Sequence, residues 1–227
     1  METMKKVITV LALFLSLLGA VSFADQADAA TFKRVAYRGG KKLNIWNRSG
    51  AGKKIVGQVK SGQKLTLKAT ATYKGNLWYE LKNNTWIMAA NTVTTSKYAS
   101  ILKAAKQNKV VSLANKQVGK AYVWGATGPY SFDCSGLTQY VYKKTIGTYL
   151  PHYSVTQRYY GKTVSTKKLQ KGDLLFFGSK SAPNHVGIYV GGGKFVHASS
   201  PTVGVIKSYV STRKSSVFYP SSARRLI

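Results

Sequence analysis

The 227-residue sequence predicts an α+β domain preceded by a small all-β unit. Two patterns carry this. The first half alternates apolar residues in short runs broken by turn residues. The second passes from apolar residues at helical spacing to a series of alternating runs. A hydrophobic fraction of 44% and an aromatic fraction of 12% mark the chain as one that folds.

Residues 1–29 read as an export signal. Lys5 and Lys6 precede an uncharged apolar run from Val7 to Phe23, and small residues follow it. Ser22-Phe23-Ala24 and Ala27-Asp28-Ala29 are the candidate processing sites, and cleavage is expected after Ala29. The alternative is an uncleaved anchor, but the run is shorter than the roughly 18–20 apolar residues of a spanning helix. No later stretch is long enough to span a bilayer, so a secreted chain without a membrane span is expected. Two of the 35 basic residues and three of the six acids lie in this segment. The remainder keeps 33 basic residues against Glu80, Asp133 and Asp173, a net of +30. Such a field attracts polyanions. For an exported chain these are expected to be anionic wall polymers or membrane headgroups, and no nucleic-acid partner is expected.

From residue 32 to about residue 93 the turns fall at Ser49-Gly50, Ser61-Gly62, Lys74-Gly75-Asn76 and Asn83-Asn84. Between them lie Leu43 and Ile45, then Leu65, Leu67 and Ala69 in strict alternation, then Trp78 to Leu81 and Trp86 to Met88. Five or six short strands at this spacing predict a small barrel or sandwich. The glycines of Gly50-Ala51-Gly52-Lys53-Lys54 do not make a phosphate loop, which needs Gly where Asn47 stands and Ser or Thr where Lys54 stands.

Residues 96–108 read as a linker running into helix. Val110, Val111, Leu113, Ala114 and Val118 form a helical stripe ended by Gly119. A second helix begins near Cys134, because Leu137, Tyr140 and Val141 recur at helical spacing after it. Strands are expected from Asp173, from His185 and from Lys194.

Cys134 is the only cysteine, so it makes no internal disulfide. A nucleophilic thiol needs a lowered pKa, a base and donors for an oxyanion. The N-terminus of a helix offers the first and the last. His185 and His197 flank Gly191-Gly192-Gly193. A three-residue loop pairing residue 189 with 193 would set 185 opposite 197, within reach of one another. One imidazole would take the thiol proton while the other orients it. An inert buried thiol and a zinc site made by the cysteine and two histidines are the competing readings. Slow alkylation by iodoacetamide near neutral pH is the expected mark of the inert thiol.

Two resemblances sharpen this. The stretch LNIWNRSGAGKKIVGQVKSGQKLTL, with LWYELKNNTWIMAANTV after it, resembles the bacterial SH3-like domain and assigns residues 31–95 to one. The motifs AYVWGATGPYSFDCSGLTQYVY, LPHYSVTQ, KGDLLFFG and NHVGIYVGGGKFVHAS resemble, in order and spacing, the NlpC-type cell-wall peptidases. That implies a papain-like domain over residues 109–227, helices packed on an antiparallel sheet, with Cys134 as nucleophile, His185 as general base and His197 as orienter. It also implies substrate contacts by Tyr122, Asp133, Ser135 and Ser154, although Asp133 could equally cap the helix. Asp173 is taken as structural. Neither cofactor nor metal is expected. The implied substrate is a peptidoglycan stem peptide, commonly cut between D-γ-glutamyl and diaminopimelyl residues. A non-catalytic wall-binding protein, an amidase and an acyltransferase are the alternatives. His152 stands where the family often has arginine, and is not expected to be the base.

Overall fold

The protein is described by a computed structural model that covers residues 32–37 and 39–227; the expected export signal lies outside them. The chain divides into two compact units between Ile101 and Leu102.

In the first unit the alternating runs become seven strands: β1 (Phe32–Ala36), β2 (Leu43–Trp46), β3 (Ile55–Val59), β4 (Lys64–Tyr73), β5 (Asn76–Leu81), β6 (Trp86–Met88) and β7 (Thr92–Thr94). They form one antiparallel sheet in the order β3-β2-β6-β5-β4-β1-β7. The period-two pattern turns Leu65 and Leu67 inward to meet Leu43, Val59, Tyr79, Leu81 and Ile87. Of the expected barrel or sandwich, no closed barrel is found among the described residues. β3 and β7 end the strand order, and Ile55 and Val56 of β3 stay exposed.

Helix α1 (Thr95–Asn115) carries the chain across the boundary. Its early turns are rich in Ala, Lys, Leu and Gln and lack Gly and Pro, so helix begins before the apolar stripe does. Of that stripe Val110 and Ala114 are buried, whereas Val118 follows the helix end and is exposed.

The second unit adds a short parallel pair, β8 (Ala121–Tyr122) and β9 (Ser131–Phe132), then helices α2 (Cys134–Ile146) and α3 (Ser154–Gln157). Six antiparallel strands follow: β10 (Lys162–Val164), β11 (Leu174–Gly178), β12 (Pro183–Gly191), β13 (Lys194–Ser200), β14 (Gly204–Tyr209) and β15 (Ser222–Arg225). Their order is β10-β15-β11-β12-β13-β14, so the last strand inserts between two earlier ones. Val186, Ile188, Val196 and Val205 face Leu137 and Val141 of α2 and Val110 of α1. The other face collects Leu175, Phe177, Phe195 and Ala223. Asp173 is fully buried and receives two hydrogen bonds from Arg225, Nε to Oδ1 at 2.8 Å and Nη2 to Oδ2 at 2.7 Å. This ties β15 to the start of β11. Among the described residues no helix is long and apolar enough to cross a membrane.

Candidate active site

Cys134 is the first residue of α2, and Asp133 is its N-cap. Oδ1 of Asp133 accepts from the Gly136 amide at 2.7 Å, and the Asp133 carbonyl accepts from Leu137. The Leu137 bond is the first of the helix, and of the four amides before it those of Gly136 and Asp133 are satisfied, by Oδ1 and by the Ala126 carbonyl. The other two, on Cys134 and Ser135, interact with the sulfur, as does the Val186 amide of β12. Gly136 has no side chain because a Cβ there would run into the Ala126 carbonyl oxygen. That carbonyl accepts from Asp133 N at 2.9 Å and holds the 123–126 loop against the helix start.

The histidines come together by a register other than the expected one. Tyr189 pairs with Phe195 and Ile188 with Val196, so His185 is offset by two residues from the position opposite His197. The register shifts at Val190, and Gly191 pairs with Lys194 across Gly192-Gly193. A two-residue slip preserves the face, and the imidazoles meet diagonally, His185 Nε2 to His197 Nδ1 at 2.8 Å. Gly187 permits this, since a Cβ there would lie 2.6 Å from the Phe195 ring and 3.1 Å from His197 Cβ. His197 is 1% exposed, stacked on Phe195 with centroids 4.5 Å apart and flanked by Phe218. Its Nε2 meets Ser208 Oγ of β14 at 3.0 Å.

Burial pushes His185 down to about 4. It pushes His197 down to about 3, with help from the His185 charge. The expected lowering of the thiol is corrected. Burial drives Cys134 up to about 11, and the neighbouring Asp133 charge adds to this, outweighing the three amides that pull the other way. At rest the site holds a thiol and two neutral imidazoles. Among the described residues no hydrogen bond joins the sulfur to His185, and slow alkylation at neutral pH therefore no longer marks an inert thiol. A stability prediction follows from linkage. Below the ordinary histidine value of 6.5 the unfolded chain takes up protons that the folded pair refuses until about 4 and about 3. Stability should therefore fall as pH drops from 6.5 toward 4. It should fall again from pH 9 to about 11, where only the unfolded thiol ionises. Urea midpoints measured across the pH range check both limbs.

A cleft of about 590 Å³ opens beside the sulfur, lined among others by Trp124, Asp133, Ser135, His152, Tyr153 and Ser154. Of the expected substrate contacts, Tyr122 packs on the same core as Cys134, and its phenol is pushed up by burial and by the Cys134 and Asp133 charges. Asp133, Ser135 and Ser154 are each buried, with their polar atoms engaged inside the protein. Asp133 accepts additionally from Gly125 N at 2.9 Å and Ser135 Oγ at 3.1 Å, and Ser154 Oγ donates to the Pro183 carbonyl at 2.7 Å.

Several contacts were not foreseen. His152 Nε2 lies 2.7 Å from Asp133 Oδ2, pairing the third histidine with the acid that caps the Cys134 helix. Gln157 is fully buried and donates to the Ser135 and Pro151 carbonyls at 2.9 and 2.7 Å, while its Oε1 accepts from Thr138. It brackets the helix start against the His152 loop. Trp124 and Tyr153 are 85% and 59% exposed at the cleft. The LP…S…Q motif was the available signal for His152, Tyr153 and Gln157; Ser208 belongs to no motif. Among the described residues no group of three or more His, Cys, Asp and Glu side chains could hold a metal ion.

Residues 119–221 match the family model described as the NlpC/P60 family. Over 122 residues the chain is 38% identical to "Probable endopeptidase p60" of Listeria grayi, covering 54% of this chain and 24% of that one. Over 93 residues it is 41% identical to "Gamma-DL-glutamyl hydrolase" of Bacillus subtilis (strain 168), covering 40% and 22%. The chain thus spans about a quarter of the length of these relatives. Among solved structures, the NlpC/p60 domain of the peptidoglycan hydrolase SagA is 37% identical, covering 53% of this chain and 98% of that one, with a TM-score of 0.49.

Proposed function

We propose that the chain belongs to the NlpC/P60 family, whose model residues 119–221 match, and that it is a secreted cysteine endopeptidase of the bacterial cell wall. The observation that carries the reading is the arrangement at the start of α2. A single thiol sits at a capped helix N-terminus, against β12 of the hairpin that presents a hydrogen-bonded histidine pair.

His185 Nε2 is committed to His197, so Nδ1 is the nitrogen left to act as base. As the sulfur attacks the amide carbon, the thiol proton passes to that nitrogen, which explains how a protonated thiol serves as nucleophile. The tetrahedral oxyanion is received by the Cys134 amide, with Tyr122 beside it. Collapse breaks the C–N bond, the departing amine takes the thiol's proton from His185, and a thioester is left on Cys134. Water, deprotonated by His185, then attacks the thioester; the C–S bond breaks, the shortened stem leaves, and the sulfur takes the proton from His185. Asp133, Ser135 and Ser154 shape the wall of the subsite, while Trp124, His152 and Tyr153 meet the substrate at its rim.

The substrate we assign is the peptidoglycan stem peptide, cut between D-γ-glutamyl and diaminopimelyl residues. The names of the Listeria and Bacillus relatives, an endopeptidase and a γ-glutamyl hydrolase, support this. Residues 31–95 are assigned as an SH3-like wall-targeting domain, and the excess of basic residues favours retention on anionic wall polymers. Residues 96–108 join it to the peptidase. Mass spectrometry of muropeptides released from purified peptidoglycan tests the bond. A new amine on diaminopimelic acid is expected; a new amine on the first stem alanine would make the enzyme an amidase instead.

A further inference from the structure

We infer that Ser208 is a positioning residue that holds the histidine pair in its basic tautomer. This rests on the reading of Cys134 as nucleophile and His185 as base. A neutral His185 can take the thiol proton at Nδ1 only if its own proton sits on Nε2. That Nε2–H must donate to His197 Nδ1, the partner at 2.8 Å. His197 Nδ1 is then an acceptor, and the His197 proton sits on Nε2. The group that meets this Nε2 is Ser208 Oγ, at 3.0 Å, which must accept. One hydroxyl on β14 thus ends a chain of two hydrogen bonds that begins at the base.

The surroundings give that hydroxyl its importance. His197 is 1% exposed and lies among the Phe195, Phe218 and His185 rings. None of the three phenylalanine faces in this cluster, Phe177 included, offers an acceptor to replace a lost one. The strands place Ser208 opposite Phe195 and one diagonal step from His197. Without Ser208 the active tautomer would leave a buried N–H unpaired, which costs more than the alternative with the proton on Nδ1. In that alternative His197 donates to His185 Nε2, the His185 proton moves to Nδ1, and the base is lost. Accepting from Nε2–H also makes His197 Nδ1 a better acceptor for the imidazolium formed at His185 during attack.

The test compares Ser208→Ala and Ser208→Thr with wild type, using full-length secreted protein on purified peptidoglycan. Long-range ¹H–¹⁵N correlation spectra report the protonated ring nitrogen of each histidine at about pH 7, where the imidazoles are neutral. Wild type should show both rings protonated at Nε2. Ser208→Ala should lose that single pattern at His197 and drop kcat about 5- to 50-fold, with KM changed less than about twofold. Ser208→Thr should restore both. An alanine variant with the wild-type tautomers and kcat would overturn the inference, as would a threonine variant no better than alanine. Failure of the underlying reading looks different: Cys134→Ala would then keep full activity whatever stands at 208.

Discussion

His185→Ala should lower turnover of peptidoglycan about 10²- to 10⁴-fold, the range that a positioned general base contributes. The expected size follows from the state of the thiol. Burial holds Cys134 up to about 11, so at neutral pH the thiolate is a minor species that the bare helix terminus does not rescue. Attack needs an acceptor for the proton at the moment the sulfur bonds to carbon. His185, pushed down to about 4 by burial, is neutral and able to accept through the whole neutral range. Removing it leaves Asp133, whose four hydrogen-bonding partners already occupy both oxygens. It also leaves His152, which is held by that same acid. The loss should appear in kcat, with KM little changed, because the cleft-lining residues Trp124, His152 and Tyr153 remain. A variant within about threefold of wild type would move the base elsewhere.

Asp173→Ala should destabilise the second unit by about 3–5 kcal/mol, the cost of breaking a buried pair by removing one partner. The carboxylate is fully buried and takes three donors: two from Arg225 and the Gln170 amide at 2.7 Å. Alanine leaves a partly buried guanidinium and a backbone N–H without their acceptor. Arg225 lies on β15, which joins β10 to the rest of the sheet, so the C-terminal strand should loosen first. Chemical denaturation gives the magnitude. Hydrogen exchange gives the location, with loss of protection centred on residues 222–225. Asp173→Asn, which keeps an acceptor, should cost less than alanine does.

The sequence was most legible where side-chain period and chain order decide the outcome. Leu137, Tyr140 and Val141 repeat at helical spacing after Asp133, and the capped helix begins where that pattern says. The glycine-rich turn between His185 and His197 announced a hairpin, and their even separation of twelve positions put both imidazoles on one face in the expected and the observed register. The register itself was not legible, because a bulge at Val190 depends on how the strands twist and pack. The engagement of Asp133 by His152 was hidden for a similar reason: a loop 19 residues away has to fold back before the pair exists. Ser208 stands in an ordinary alternating run, and only the lateral order of β13 and β14 makes it a neighbour of His197. The short, arginine-bearing β15 gave no apolar pattern, since its place depends on Asp173.

The most direct measurement of the central claim is release of soluble muropeptides from purified peptidoglycan by wild type and by Cys134→Ala at equal concentration. The sulfur is the only atom the account allows to form the acyl-enzyme. Wild type should release stem-peptide fragments steadily, and the alanine variant, folded by its circular dichroism, should release none above the enzyme-free control. Equal release by the two proteins would contradict the account.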